Sequence, residues 1–321
     1  MRTSNEEYVS SINFLFNFPG LSRSMKVLTD QDLLNLLPPE KAVSAMKEAF
    51  SLLWRGEVIS PQRTVVTQKG DWWGVMPCKT RYLFTVKVVA VIPGNRERGL
   101  PSVNGAVLAL SPDTAEPLAV LPGATLTALR TSATSVLSTE IAVGRKVGVL
   151  GVIGAGQEAE FHIRMAQGYL SPSRVLVTAR KSHVELARRT GAEAVELDTL
   201  LREADVIFAT TSSTSPVVKG SLLKDGFHVA SIGAHTPDAR ELDDDAIRRA
   251  RTYIVDSLEA VSRESGDYIQ PARSGALGAK VLELGEILVK GIRVERPSIF
   301  KSVGVAVQDN LATYYAIKEL V

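Results

Sequence analysis

The feature that most constrains this chain is residues 147–163, VGVLGVIGAGQEAEFHI, where an apolar run passes through a glycine-rich turn into a segment of helical character. Gly154, Ala155, Gly156 and Ala159 supply the pattern G-x-G-x-x-A directly after a strand signal. The first glycine permits a tight turn, the second lets backbone approach a pyrophosphate, and the small third residue lets helix and sheet pack closely. Free N–H groups at the helix start, around Gln157 and Glu158, then face the phosphates. A glycine pattern by itself also fits a plain strand-to-helix turn. The text that follows favours the dinucleotide, because KVGVLGVI, RVLVT, AVEL, DVIFAT, FHVASIG and RTYIVD alternate with amphipathic segments. That alternation predicts an α/β chain with a Rossmann-type, doubly wound parallel sheet.

Ahead of Lys146 the pattern differs. TDQDLLNLLPPEKAVSAMKEAFSLLWRG, from Thr29, combines capping residues, apolar positions at helical spacing, a Pro-Pro break and a closing Gly56, which predicts two helices. RTVVTQ, WWGVM, YLFTVKVVAVI, NGAVLAL and LAVL are separated by KGD, GNRERGLPS and SPDTAEP, the signals of an antiparallel or mixed sheet. TLTALRTSATSVLSTEIAVG predicts a long helix leading into the glycine turn, and IFKSVGVAVQDNLATYYAIKEL a last strand and a closing helix. With 321 residues, two domains are expected.

Composition narrows the partners. The 37 basic and 35 acidic side chains leave a net charge of +2, so the whole-chain field suggests neither nucleic acid nor an anionic membrane. No apolar run approaches the roughly 18–20 residues of a spanning helix. Cys78 is the only cysteine, which fits a reducing compartment and a cytoplasmic location. Residues 1–24 contain INFLFNFPGL without a basic segment ahead of it or a small-residue cleavage pattern behind it, and are taken as a tail of unassigned role.

Three further features carry chemistry. NAD-selective sites place a carboxylate at the end of the strand after the glycine turn, about 20 residues on. RVLVTARKSH has none there; Arg180 and Lys181 suit a 2′-phosphate instead, so NADP is favoured over NAD. Lys87 interrupts the apolar strand LFTVKVVAVI, sharing a face with Thr85 and Val89 while Val86 and Val88 take the other, and both faces look buried. A lysine in apolar surroundings has a lowered pKa and can act as acid, base or imine-forming amine; an edge-strand lysine that blocks aggregation is the alternative. The four histidines include no HxxxH spacing and there is no CxxC, so no catalytic metal is expected.

PQRTVV, VMP, TVKVVAVIPGN, GLPSVNGAVLAL, LTALRTSATS, GVIGAGQEA, DVIFATTSSTSPV, IGAHTPDARELD, ESGD and KSVGVAVQD, in that order, resemble the ornithine cyclodeaminase and mu-crystallin family. The family also holds archaeal alanine dehydrogenases, lysine cyclodeaminases and ketimine or pyrroline-carboxylate reductases. The resemblance implies an NAD(P)-binding Rossmann domain over residues 127–299. It also implies a discontinuous α+β domain, residues 1–126 with 300–321, that binds a small amino or imino acid and forms a homodimer. By position it implies that Arg63 binds the substrate carboxylate, that Met76 lines the substrate pocket and that Lys87 is catalytic. Arg130 and Thr131 match a pair reaching cofactor phosphate or substrate. Thr210, Thr211 and Ser212 match residues near the cofactor ribose, and Asp309 an aspartate near the active site. Gly233, Ser302 and Gly304 belong to the same cofactor-side motifs.

One position departs from the cyclodeaminases. Where they and the archaeal alanine dehydrogenase tend to carry an aspartate after IGA, this chain has His235, a candidate acid or base or a plain loop histidine. The form GAxxPDxREL is similar to the mu-crystallin and ketimine-reductase branch, which the resemblance links to NADPH and net reduction. The expected function is hydride transfer at the alpha carbon of a small amino or imino acid. Ornithine cyclisation with bound NAD and a non-catalytic NADPH-binding crystallin are the alternatives.

Overall fold

Alternating polarity in the first half folds as the pattern requires. The computed structural model describes residues 25–321, so the tail assigned to residues 1–24 lies outside the described residues. The strands Lys26–Val27 (β1), Thr64–Gln68 (β2), Asp71–Lys79 (β3), Phe84–Val91 (β4), Val103–Leu110 (β5) and Pro117–Pro122 (β6) form one sheet in the order β1-β6-β5-β4-β3-β2. The sheet is mixed, since β1 runs parallel to β6 and the other pairs are antiparallel. Helix α1 (Asp30–Leu36) begins at a capping box between Thr29 and Asp32, and α2 (Pro39–Trp54) begins at the second proline of the break. The apolar stripe of α2, including Ala42, Met46, Ala49 and Phe50, is buried.

Register decides where Lys87 points. Met76, Lys87, Val107 and Leu121 lie opposite one another across β3 to β6, and all four are buried. The other face is open: Val88 is 41% exposed and Trp73 46%. The expectation that both faces of the Lys87 strand are buried is therefore corrected. Helices cover one side of the sheet only, and sequence alternation does not reveal which strands have a second layer.

Helix α3 (Gly123–Ala142) is buried along nearly its whole length and carries the chain to the second sheet. It bears many hydroxyls. Several turn back onto helix carbonyls, such as Thr131 Oγ1 to Thr127 O at 2.6 Å and Thr134 Oγ1 to Arg130 O at 2.7 Å. Others tie down buried histidines, with Ser135 Oγ 2.9 Å from His162 Nε2 and Ser138 Oγ 3.1 Å from His228 Nε2. Burial pushes these imidazoles down to about 4 and about 3, which keeps both neutral near neutral pH.

The second sheet contains Val149–Ile153 (β7), Arg174–Thr178 (β8), Glu193–Ala194 (β9), Val206–Ala209 (β10), His228–Ser231 (β11), Thr252–Val255 (β12), Lys280–Glu283 (β13) and Ser298–Lys301 (β14). Its order is β13-β12-β14-β11-β10-β7-β8-β9, parallel throughout. The accompanying helices are α4 (Gln157–Tyr169), α5 (His183–Thr190), α6 (Leu197–Glu203), α7 (Asp244–Arg249), α8 (Leu258–Glu264), α9 (Gly266–Ser274) and α10 (Leu284–Lys290). Of AVEL only Ala194 lies in a strand, the short Glu193–Ala194, and Leu197 begins helix α6. The closing helix α11 (Ala306–Ile317) returns to pack on α2 and β3, where Val307 and Leu311 join Met76, Ala49 and Leu52 in a common apolar cluster.

Candidate active site

The strand order reverses at β7, whose neighbours β8 and β10 lie on opposite sides, and in such sheets ligands bind outside the carboxyl ends of the strands at that point. Gly154 follows β7 there with φ +131°, and its N–H donates to Thr178 O at 2.9 Å. A side chain at Gly154 would meet Thr210 Oγ1 at 2.5 Å, so both its φ and the close approach of the two loops call for glycine. Gly156, at the start of α4, has no side-chain cap, and a Cβ built on it meets nothing within 4 Å. Glu158, in the first turn, has one carboxylate oxygen buried without a hydrogen-bond partner while the side chain as a whole is partly exposed. Burial raises its pKa against the pull of the Arg130 and Lys87 cations. An uncapped helix start and open space at Gly156 fit a dinucleotide at this edge, where the N–H groups of Ala155, Gly156 and Gln157 would hold its phosphates, Gly154 shapes the turn, and the unmet Glu158 oxygen suits a hydroxyl donor such as a ribose.

The loops beyond the neighbouring strands complete this edge. Arg180 and Lys181 stand exposed just past β8. Thr210 donates to Ile153 O at 3.0 Å, Thr211 donates through both its N–H and hydroxyl to Glu241, and Ser212 is exposed. Gly233, after β11, donates its N–H to Glu241 Oε2 at 2.8 Å. After β14, Ser302 Oγ and the N–H groups of Val303 and Gly304 all donate to Asp256 Oδ2, at 2.7, 2.9 and 2.8 Å.

Facing that edge is a buried ionic cluster. Lys87, 1% exposed, places Nζ 2.7 Å from Asp309 Oδ2 and 3.4 Å from Thr127 Oγ1. Arg130 Nε donates to Asp309 Oδ1 at 3.2 Å and Nη1 to Gln308 Oε1 at 3.2 Å. Gln308 in turn donates to Thr134 Oγ1 at 2.7 Å, so one carboxylate lies between a lysine and an arginine whose own position is braced. Burial brings the Lys87 pKa down to about 8; Asp309 opposes the fall, and the cations of Arg130 and Arg63 add to it. Met76 sits beside Lys87 in register. Thr131 spends its hydroxyl on the Thr127 carbonyl within the helix.

Arg63 reaches across to the second sheet. Its Nη2 donates to Gly304 O at 2.5 Å and Val303 O at 3.3 Å, and lies 3.2 Å from Glu264 Oε2. These contacts all fall on Nη2, which leaves the Nη1 N–H donors for a substrate carboxylate. Gly304, φ +80°, has its α carbon against the Arg130 guanidinium, where a Cβ would come within 2.9 Å. Its two sides thus hold Arg63 and Arg130 near each other. His235 lies at the lip, open to solvent on one side, with Nδ1 3.0 Å from Gly233 O and its ring edge-to-face with Trp72 at 6.4 Å. The protein packed around the ring lowers its pKa, and the Lys301 and Arg63 cations lower it further.

Arg63, Lys87, Arg130 and Asp309 therefore converge, while the glycine turn and the loops carrying Thr210, Gly233 and Ser302 form the opposing edge. Sequence reasoning did not single out Thr127, Gln308, Glu264, Glu241, Asp256, Asp267 or Lys301. Lys301 carried a usable signal, since it is a charge set within the apolar run IFKSVGVAV. Among the described residues there is no group of three or more His, Cys, Asp or Glu side chains placed to hold a metal ion, and no helix long and apolar enough to cross a membrane.

The chain is similar to several known proteins. Mouse ketimine reductase mu-crystallin is 35% identical over 289 residues, covering 86% of this chain and 89% of that protein. A Thermococcus litoralis Delta(1)-pyrroline-2-carboxylate reductase solved with NADH and L-proline superposes with a TM-score of 0.85 at 30% identity, over 92% of this chain and 97% of that one. An archaeal alanine dehydrogenase dimer with bound NAD gives a TM-score of 0.82 at 26% identity, over 92% and 95%. The model of the ornithine cyclodeaminase/mu-crystallin family matches residues 24–320, and the chain belongs to that family.

Proposed function

We propose that this chain reduces the C=N bond of a small imino acid, with NADPH preferred to NADH, and runs the reverse oxidation of the corresponding amino acid. The observation that carries the reading is the buried Lys87 amine, with a pKa near 8, held by Asp309 beside Arg63. Arg63 binds the substrate carboxylate through the Nη1 donors that its contacts on Nη2 leave free. Lys87, as the ammonium, donates a proton to the substrate nitrogen and is left neutral. Asp309 and Arg130 hold the amine in place, and Met76 and His235 border the substrate. NAD(P)H, when bound, supplies the hydride to the alpha carbon. One hydride, to carbon, and one proton, to nitrogen, thus add across the C=N bond, and the neutral lysine recovers its proton from solvent.

Arg180 and Lys181 support the phosphorylated cofactor, because the end of β8 offers cations and no carboxylate. The open sheet face, with Trp73, Val75, Val86, Val88 and Leu108, supports a homodimer built on that face, since an apolar surface of this kind is rarely left to water.

The test is a panel of cyclic imines, 2-oxo acids with ammonia, and ornithine alone, each with NADPH or NADH. The expected result is loss of reduced-cofactor absorbance with an imine and NADPH, abolished in Lys87→Ala while NADPH still binds. Ammonia release from ornithine without net cofactor change, or full activity in Lys87→Ala, overturns the reading.

A further inference from the structure

One charged cluster has no part in the chemistry above. Ser231, Glu241, Asp267 and Lys301 are fully buried at the carboxyl edge of the parallel sheet. Charges kept from water persist only where hydrogen bonds satisfy them, and here the bonds reach two separate loops. Glu241 Oε1 accepts from the N–H of Thr211 at 2.6 Å and from its hydroxyl at 2.9 Å, just past β10. Glu241 Oε2 accepts from the Ser231 hydroxyl at 2.8 Å and from the N–H groups of Gly233 and Ala234 at 2.8 and 3.3 Å, at and past the end of β11. Asp267 fixes the hub from behind: its Oδ1 accepts from the N–H groups of Glu241 and Leu242 at 3.0 and 2.9 Å. Lys301, at the end of β14, donates to Asp267 Oδ2 at 3.1 Å and to Ser231 Oγ at 3.0 Å.

The two loops are also in direct contact. A Cβ on Gly233 would lie 1.9 Å from Thr211 O, so neither loop can shift alone without changing the other. Burial raises the Glu241 pKa, and the neighbouring Asp267 raises it further against the pull of Lys301.

We propose that Glu241, braced by Asp267 and Lys301, is a positioning residue that locks the loops after β10 and β11 into one surface. Thr210–Ser212 and Gly233–His235 then meet the cofactor in a single register, and the nicotinamide ring is presented toward Lys87. Glu241 acts through these loops and not on the reacting atoms. A glutamine cannot replace it, because one amide oxygen cannot receive both loops and the amide NH2 would face N–H donors.

The proposal rests on the oxidoreductase reading, so its test includes a readout that requires neither substrate nor turnover. In cofactor-free Glu241→Gln protein, amide hydrogen exchange over residues 210–212 and 232–236 is expected to speed up together, while α4 is unchanged. The Kd for NADPH, from its fluorescence, is expected to rise about tenfold and kcat to fall about tenfold, with KM for the imino acid nearly constant, the scale of one lost buried charge-assisted bond. Unchanged exchange in either loop overturns the proposal, as does faster exchange in both with Kd and kcat unaltered. If Glu241→Gln does not fold, Thr211→Val removes one donor and leaves the hub in place. Faster exchange over 232–236 with weaker NADPH binding in that variant supports the coupling, and no change in both defeats it. Failure of the wild-type chain to reduce any imine, alongside altered exchange and cofactor binding in the variants, sinks the functional reading and leaves the positioning role standing.

Discussion

Lys87 on β4 and Asp309 on the closing helix meet at 2.7 Å, both essentially excluded from water, with Arg130 on the far oxygen of the same carboxylate. The pair joins a central strand of the first sheet to the last helix of the chain. Such a contact is electrostatically strong because solvent is excluded, and it is also costly to leave half-made.

The first prediction concerns pH. In the reductive direction Lys87 must carry a proton, so kcat/KM is expected to fall as pH rises through about 8, and the oxidative direction to gain over the same range. Asp309 holds the ammonium charged, so Asp309→Asn is expected to shift the reductive fall to lower pH. The same variant leaves a buried cation unpaired and is expected to lose about 3–5 kcal/mol of unfolding free energy. For the wild-type chain the sign is opposite to that of a lysine whose ion pair raises its pKa, because burial here outweighs the Asp309 pairing. The folded pKa lies below the ordinary 10.5, so this group's penalty is full below pH 8 and is relieved as pH rises toward 10.5. Rate profiles and denaturant titrations check these statements, and an unshifted fall in Asp309→Asn would contradict the assignment.

A second prediction separates binding from chemistry. Arg63→Lys keeps the charge but loses the planar fork, and charge-assisted bonds of this kind are worth ~1.5–3 kcal/mol. KM for an imino acid is therefore expected to rise roughly 10- to 100-fold, with a smaller change in kcat. Steady-state kinetics would show the reverse pattern, a fall in kcat at constant KM, if Arg63 served the transition state alone.

Cofactor choice gives a third. Arg180→Ala together with Lys181→Ala is expected to weaken NADPH by roughly tenfold or more while leaving NADH within a factor of about two, since only the 2′-phosphate differs. The wild-type preference should also shrink as salt rises, because these side chains are exposed. Equal losses for both cofactors would place the two cations elsewhere in binding.

Assembly provides the fourth. Val88→Glu on the open sheet face is expected to convert a dimer into a monomer, read by light scattering, because an unpaired carboxylate would be buried at the contact. A dimer that survives the change would assign the subunit contact to another surface.

What the sequence determined by itself lies where the physics is local. Gly154 could be read because a left-handed φ at a tight turn leaves few residue types to choose from, and the parallel sheet because short apolar runs alternate with helical stripes. Lys87 announced itself as a charge inside an apolar strand. The tertiary structure alone decided which face of that strand is covered, since the alternation of Val86, Lys87 and Val88 is the same whether or not a second layer packs on the outer side. It alone joined Lys87 to Asp309, Arg63 to Glu264 and Thr211 to Glu241. Those partners lie on separate elements, and the charges find one another only after burial of apolar surface has brought the two sheets and the closing helix together.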